Sequence, residues 1–200
     1  MCGIGLVLTR GRFGAGSPII LDSFNRADNT VLGNADTGQV WTSGFRVVGI
    51  SNNIATSRGI STHTDGHWVV DNSSVGNDVE ISLTVTQLNT GSGIVIRHNG
   101  QPNGVGDDGY LCVIRAIQWF VYRWTNGILA STIASGSTLI NTGGTAPIKA
   151  TMKGTLLTFV VDGITVYSAN PAGALTGNFS GIYTNSTSDW LDNFQVVPAP

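Results

Sequence analysis

Apolar and polar residues alternate strictly from Asp78 to Thr86: Val79, Ile81, Leu83 and Val85 fall on one side, Asp78, Glu80, Ser82, Thr84 and Thr86 on the other. A period of two over this length marks a strand with one face on a core and the other in solvent. Similar runs follow at short spacing: Gly93 to Arg97, Tyr110 to Arg115, Trp119 to Trp124, Ile128 to Ile133, Ile148 to Lys153, Leu156 to Val161, Ile164 to Tyr167, Ser180 to Tyr183 and Trp190 to Val197. Asn126-Gly127 and Asp162-Gly163 each separate two of these runs by two residues. That is hairpin chemistry, because positive φ at both loop positions favours Asn or Asp followed by Gly. No segment shows helical periodicity over a helix length, and no internal repeat occurs. The expected fold is therefore all-β, a two-sheet antiparallel β-sandwich over residues 20–200. Residues 1–19 are Gly-rich, carry Arg10, Arg12 and Phe13, and close at Ser17-Pro18. They are expected to form a flexible N-terminal arm.

Composition sharpens this picture. Glu80 is the single Glu and Lys149 and Lys153 the only Lys, against 27 Gly in 200 residues. Glu and Lys ordinarily fill exposed helix faces, so a helical or α/β chain is excluded. A net charge of -2 provides no basic field, so nucleic acid is not an expected partner. Cys2 and Cys112 make no disulfide framework, and packing must hold the fold. No transmembrane span is expected. The apolar run Ile4 to Leu8 is short, glycine-interrupted and preceded by no basic residue, so no signal peptide is expected either.

The opening Asp22-Ser23-Phe24-Asn25-Arg26, then Leu32-Gly33 and Gly38-Gln39-Val40-Trp41, resembles the start of concanavalin A-like (laminin-G-like) jelly rolls. Gly109 to Arg115, the hairpin Leu157 to Val166 and the closing Trp190 to Val196 are similar to the same plan. The resemblance covers roughly residues 20–197, and its Asn/Thr/Gly-rich form is similar to domains of bacteriophage minor tail proteins. It implies a non-catalytic virion protein, made in the host cytoplasm without a signal peptide. It further implies a lectin-like domain for host-surface or virion contacts, and a homo-oligomer, with a trimer as the guess. Residues 1–19 would contact other tail proteins, and a host cell-wall glycan is a candidate ligand. The alternative is a carbohydrate-binding module of a bacterial protein.

Catalytic readings fare poorly on the same residues. Glycoside hydrolysis needs two carboxylates flanking the scissile bond. The nearest stretch is Gly76-Asn77-Asp78-Val79-Glu80, and one Glu cannot make a Glu pair. Asp78 and Glu80 share a face, which reads as a solvated sheet surface. Met1-Cys2-Gly3-Ile4 resembles the start of N-terminal-nucleophile glutamine amidotransferases, as do Ser61-Thr62-His63 and His98-Asn99-Gly100. That fold needs helices this composition cannot build, and His98-Asn99-Gly100 fits a turn leaving a strand. Neither enzyme is expected.

Two binding candidates remain. The run Trp119 to Trp124 puts Phe120, Tyr122 and Trp124 on one face and Trp119, Val121 and Arg123 on the other. One set enters the core, and the other pairs within the fold, stacks on sugar rings or packs on a subunit. Trp119, Tyr122 and Trp124 are the candidate ligand-binding residues. By alternation Asp22 points with Ile20 and Phe24, and Asp192 with Trp190, Phe194 and Val196. Buried carboxylates require hydrogen bonds, a cation or protonation. Asp22 and Asp192 are therefore the candidate metal ligands. The resemblance implies a structural calcium near the last strand, and backbone amides, Asn193 and Arg26 are the metal-free alternative. His63, His67 and His98 lack the spacing of a zinc site.

Overall fold

The computed structural model describes residues 19–45, 48–57, 66–86, 91–101, 106–137, 144–185 and 187–200. The expected arm lies outside the described residues except for its last position. Among the described residues there is no helix, and so none long and apolar enough to cross a membrane. The strands are β1 (Ile20–Asp22), β2 (Thr42–Phe45), β3 (Val48–Ser51), β4 (Ile54–Ser57), β5 (Gly66–Asp71), β6 (Val79–Thr86), β7 (Ser92–His98) and β8 (Gly109–Arg115). They continue as β9 (Gln118–Thr125), β10 (Ile128–Ser137), β11 (Thr145–Lys153), β12 (Leu156–Val161), β13 (Ile164–Ala169), β14 (Phe179–Thr184) and β15 (Trp190–Pro198).

These strands form two antiparallel sheets, as expected. One runs β13-β12-β11-β6-β15-β4-β3, with β1 laid on β15; the other runs β10-β9-β8-β7-β14-β5-β2. Both Asx-Gly loops are tight hairpins with positive φ at each central residue, 52° and 74° at Asn126-Gly127, 49° and 79° at Asp162-Gly163. The alternation of β6 is realised, with Val79, Ile81, Leu83 and Val85 buried in the inter-sheet core. Opposite them, β7 and β8 supply Ile94, Ile96, Tyr110, Cys112 and Ile114. Cys112 is a free, fully buried thiol whose pKa burial pushes up, so it stays protonated and behaves as a small apolar side chain.

The β1 end is fastened by one carboxylate. Asp22 Oδ1 accepts from Arg26 Nη1 at 2.7 Å and from the Phe24 amide at 2.8 Å; Oδ2 accepts from Arg26 Nη2 at 2.7 Å and Trp41 Nε1 at 2.6 Å. A left-handed turn at Phe24 (φ 52°) brings Arg26 back onto Asp22. Trp41 then packs between Phe24 and Phe194, at centroid distances of 5.9 and 4.9 Å. Four donors on two oxygens replace what water would supply to the buried carboxylate.

Two of the sheets' irregularities re-aim the candidate residues. In β15 the register to β6 slips between Asp192 and Gln195, with Asn193 left-handed at φ 55°. Leu191, Phe194 and Val196 are therefore the buried set, and Asp192 does not share the core-facing side of Phe194 and Val196 as strict alternation predicts. In β7, Arg97 is left-handed (φ 57°) and crosses to the other sheet, where Nη2 meets Asp78 Oδ1 and Gly154 O, each at 3.2 Å. His98 consequently leaves the parity of Ile94 and Ile96 and turns to the outer face.

That outer face is concave. β5 and β9 lie four positions apart in the seven-stranded sheet, which in a flat sheet means about 19 Å at ~4.8 Å per strand. Yet the rings of His67 on β5 and Trp124 on β9 are 5.3 Å apart, edge to face. The sheet must roll up around them. Two glycines on the concave side permit this: a Cβ on Gly93 would lie 2.0 Å from the carbonyl oxygen of Cys112, and one on Gly181 2.0 Å from that of Trp68. Gly181→Ala is expected to cost about 1–3 kcal/mol by forcing adjacent strands apart. Urea denaturation measures this, and an unchanged unfolding midpoint would remove close approach as the source of the curl.

Candidate functional site

The rolled sheet encloses a trough whose two ends differ chemically. At one end Leu111 and Val113 of β8 form the floor, since their parity opposes that of Tyr110, Cys112 and Ile114. Phe120 and Tyr122 stand beside them on β9, in register with Val113 and Leu111. Their rings stack in parallel, 7° apart in plane and 5.2 Å between centroids. Tyr183 of β14, Arg115 at the end of β8, Leu129 and Asn185 complete a cavity of about 140 Å³. The Asn185 amide donates to Gly91 O at 2.9 Å and ties the rim. Burial raises the pKa of the Tyr122 hydroxyl and the Arg115 charge opposes that shift, so the guanidinium acts on this ring. The arrangement suits a ring-shaped ligand with apolar faces and polar edges.

The other end is filled by a buried polar network. His98 Nε2 and Asp107 Oδ1 are 2.5 Å apart, His67 Nε2 and His98 Nε2 3.2 Å, and Trp124 Nε1 donates to Asp107 Oδ2 at 3.0 Å. Asp107 also carries the hairpin loop, since its carbonyl accepts from the Gly127 amide at 3.1 Å. His67 Nε2, His98 Nε2 and Asp107 Oδ1 lie within 4.8 Å of one another, the spacing of a metal centre. One hydrogen bond argues against that reading. The Gly100 amide donates to His98 Nδ1 at 2.9 Å, so the neutral ring carries its proton on Nε2, the atom a metal would need. The cluster is a hydrogen-bonded pillar under the trough. Burial first, then the neighbouring His98, hold the His67 pKa down at about 4, with Asp107 opposing.

The residues singled out from sequence part company here. Tyr122 lines the cavity. Trp124 shares its face but is buried and committed to Asp107. Trp119 lies on the opposite face against the main core, its ring beneath Gly136, and is no part of the trough. Asp22 and Asp192 do not fit a calcium site, because both oxygens of Asp22 already hold a guanidinium, an indole and an amide. Asp192 accepts the Asn193 amide at 2.8 Å beyond the bulge; desolvation raises its pKa, that amide lowers it and the Asp22 charge raises it further. Arg115 and Phe120 were legible by parity, Arg115 with Leu111 and Val113, Phe120 with Tyr122. His67, His98 and Asp107 were not, because neither bulge nor curl shows in spacing.

A larger and more open depression of about 500 Å³ lies on the other sheet, lined by Ser82, Thr84, Pro147, Lys149, Asn193 and Gln195 among others. It has no aromatic side chain, and Lys149 is paired with Glu80 at 2.9 Å. The trough is the better candidate.

Two outcomes test this geometry. Melting curves in a chelator and in added calcium are expected to superimpose, and a chelator-induced drop in melting temperature would restore an ion at Asp22 and Asp192. Between about pH 6.5 and 4 the unfolded chain holds a proton at His67 that the folded chain does not. Stability should therefore fall as pH drops through that window, by on the order of 3 kcal/mol in all. His67→Gln should flatten this part of the profile measured by urea denaturation; a profile equal to wild type would show that His67 titrates normally.

No protein-family model and no curated protein sequence matches the chain. Solved structures share its fold. The carbohydrate binding module CBM66 from Bacillus subtilis superposes with a TM-score of 0.63 at 19% identity, covering 78% of this chain and 94% of that one. A chain from work on endo-acting O-glycanases of the human gut microbiota, said to initiate mucin breakdown, gives 0.59 at 13% identity, covering 90% and 98%. The potassium-bound carbohydrate recognition domain of Emp46p gives 0.57 at 11% identity, covering 80% and 89%. At such identities the likeness establishes the fold, a lectin-like β-sandwich consistent with a concanavalin A-like jelly roll.

Proposed function

We propose that this domain binds carbohydrate in its concave trough and performs no catalysis on it. The observation that carries the reading is the stacked Phe120–Tyr122 pair over the apolar floor of Leu111 and Val113, facing Tyr183 across the cavity. Aromatic faces bury the C–H side of a sugar ring, while Asn185, Arg115 and the tyrosine hydroxyls offer partners to its hydroxyls. The cavity is smaller than the roughly 300 Å³ at which drug-sized sites begin, which suits one sugar residue with the rest of a chain lying along the open face. CBM66 and the Emp46p domain are carbohydrate-binding by name, and their shared fold supports the same role here. Against hydrolysis stands the cavity lining, which includes no carboxylate among the described residues. The single Glu of the chain, Glu80, is held by Lys149 in the other sheet, away from this cavity.

A bacteriophage tail setting would give such a face a host-surface glycan to meet. That reading rests on the resemblance of residues 20–197, and detection of the chain in purified virions is its test.

Calorimetric titration of the domain against a panel of neutral and acidic oligosaccharides tests the binding itself. Tyr122→Ala is expected to weaken binding about tenfold, through loss of stacking area. Trp119→Phe, altered on the core side, should leave affinity unchanged. Absence of binding across the panel, or binding indifferent to Tyr122, sinks the proposal.

A further inference from the structure

We propose that the trough selects an acidic sugar, with the Arg115 guanidinium receiving the carboxylate of a uronic or sialic acid residue; this rests on the carbohydrate reading above. The argument begins with where the other cations are spent. Six cationic side chains belong to described residues, and five have polar partners. Arg26 holds Asp22, Arg97 holds Asp78, Lys149 holds Glu80, Arg123 donates to the carbonyls of Ala172 and Gly173, and Lys153 reaches Pro200 O. Arg115 alone among them makes no ion pair or hydrogen bond with a described residue, and it is the one that lines the trough.

Its position is set by the fold. Arg115 ends β8 with the parity of Leu111 and Val113, so it projects from the outer face at the rim of the apolar floor. Its stem passes Gly91, where Cβ and Cγ lie 3.8 and 4.0 Å from the point a Gly91 Cβ would occupy. The aliphatic part of the arginine thus runs alongside Gly91 at ordinary contact distance, and the residue remains exposed.

The charge balance selects the ligand. Among the described residues the cavity lining includes neither Asp nor Glu, so an entering anion meets one positive charge and no negative one from them. The buried acid Asp189 is engaged behind the rim, where Oδ2 takes Ser92 Oγ at 3.0 Å and the Gly91 amide at 3.3 Å. A planar guanidinium matches a planar carboxylate with two parallel N–H···O bonds, and one arginine balances one carboxylate. The tyrosine and phenylalanine rings would hold the sugar ring while Arg115 fixes which edge faces the rim.

Titration of the purified domain with sialyllactose and digalacturonate, each beside its methyl ester, and with lactose sulfate separates the cases. At low ionic strength one acid is expected to bind about tenfold tighter than its ester, a preference that shrinks with added salt. Arg115→Gln should bring the acid down to the affinity that the same variant shows for the ester, and leave the melting temperature unchanged. Equal affinity for acids and esters, or an acid preference that survives Arg115→Gln, overturns the acidic-sugar assignment and leaves carbohydrate binding standing. Tighter binding of lactose sulfate than of either acid overturns the carboxylate. Binding of none of these sugars overturns the acidic-sugar assignment, while carbohydrate binding itself falls only if the wider panel also fails.

Discussion

The curvature of the seven-stranded sheet is the constraint on which the functional surface depends. A flat sheet would leave Phe120, Tyr122, Tyr183 and Trp124 as separate rings on an exposed plane. Rolling it brings β5 and β9 across one trough, so that His67 touches Trp124 at 5.3 Å. The roll is possible because Gly93 and Gly181 have no Cβ where the neighbouring backbone closes in. Glycine weakens strands in general, and here that cost is offset by the contacts it allows across the concave side.

Buried polar groups show how a sandwich without disulfides among its described residues gains specificity. Asp22 is saturated by Arg26, Trp41 and a local amide, and Asp107 by His98 and Trp124. Each network joins segments distant in sequence: β1 to the residue before β2 in one case, β7 to β9 in the other. Removing a partner would strand a buried charge or donor, a larger penalty than the net gain of making the bond. The same saturation explains why neither acid is available to a metal ion. Asp22 has no lone pair left facing a cation, and His98 has its proton on the wrong nitrogen.

The two ends of the trough follow a division of labour set by this chemistry. The His67–His98–Asp107 end is closed by hydrogen bonds among its own side chains, which props the curled sheet. The Phe120–Tyr122–Arg115 end is open, with aromatic area and a cation that the described fold does not itself consume. Among the described residues no carboxylate lines the open end, and the Asp107 carboxylate at the closed end is engaged by His98 and Trp124.

Much of the fold was legible because it depends on local rules. Alternation in β6, the Asn126-Gly127 and Asp162-Gly163 hairpins and the poverty in Glu and Lys led to a two-sheet antiparallel sandwich with no appeal to distant contacts. Parity also sorted the Trp119–Trp124 strand correctly into two faces, which is enough to separate Trp119 from Tyr122. What parity could not carry was any position beyond a bulge. Asn193 shifts Asp192 away from the core-facing side, and Arg97 swings His98 out of the core parity, each through a single left-handed residue that no sequence rule marks. The curl depends on the collision of an absent Cβ with a neighbouring strand, and the free state of Arg115 on which acids the other cations reach. Sequence by itself determined the strands and which side chains alternate along them. The tertiary structure alone decided which of those faces became concave, which acids were already satisfied and which cation among the described residues stayed without a polar partner, because those outcomes turn on distances between strands far apart in the chain.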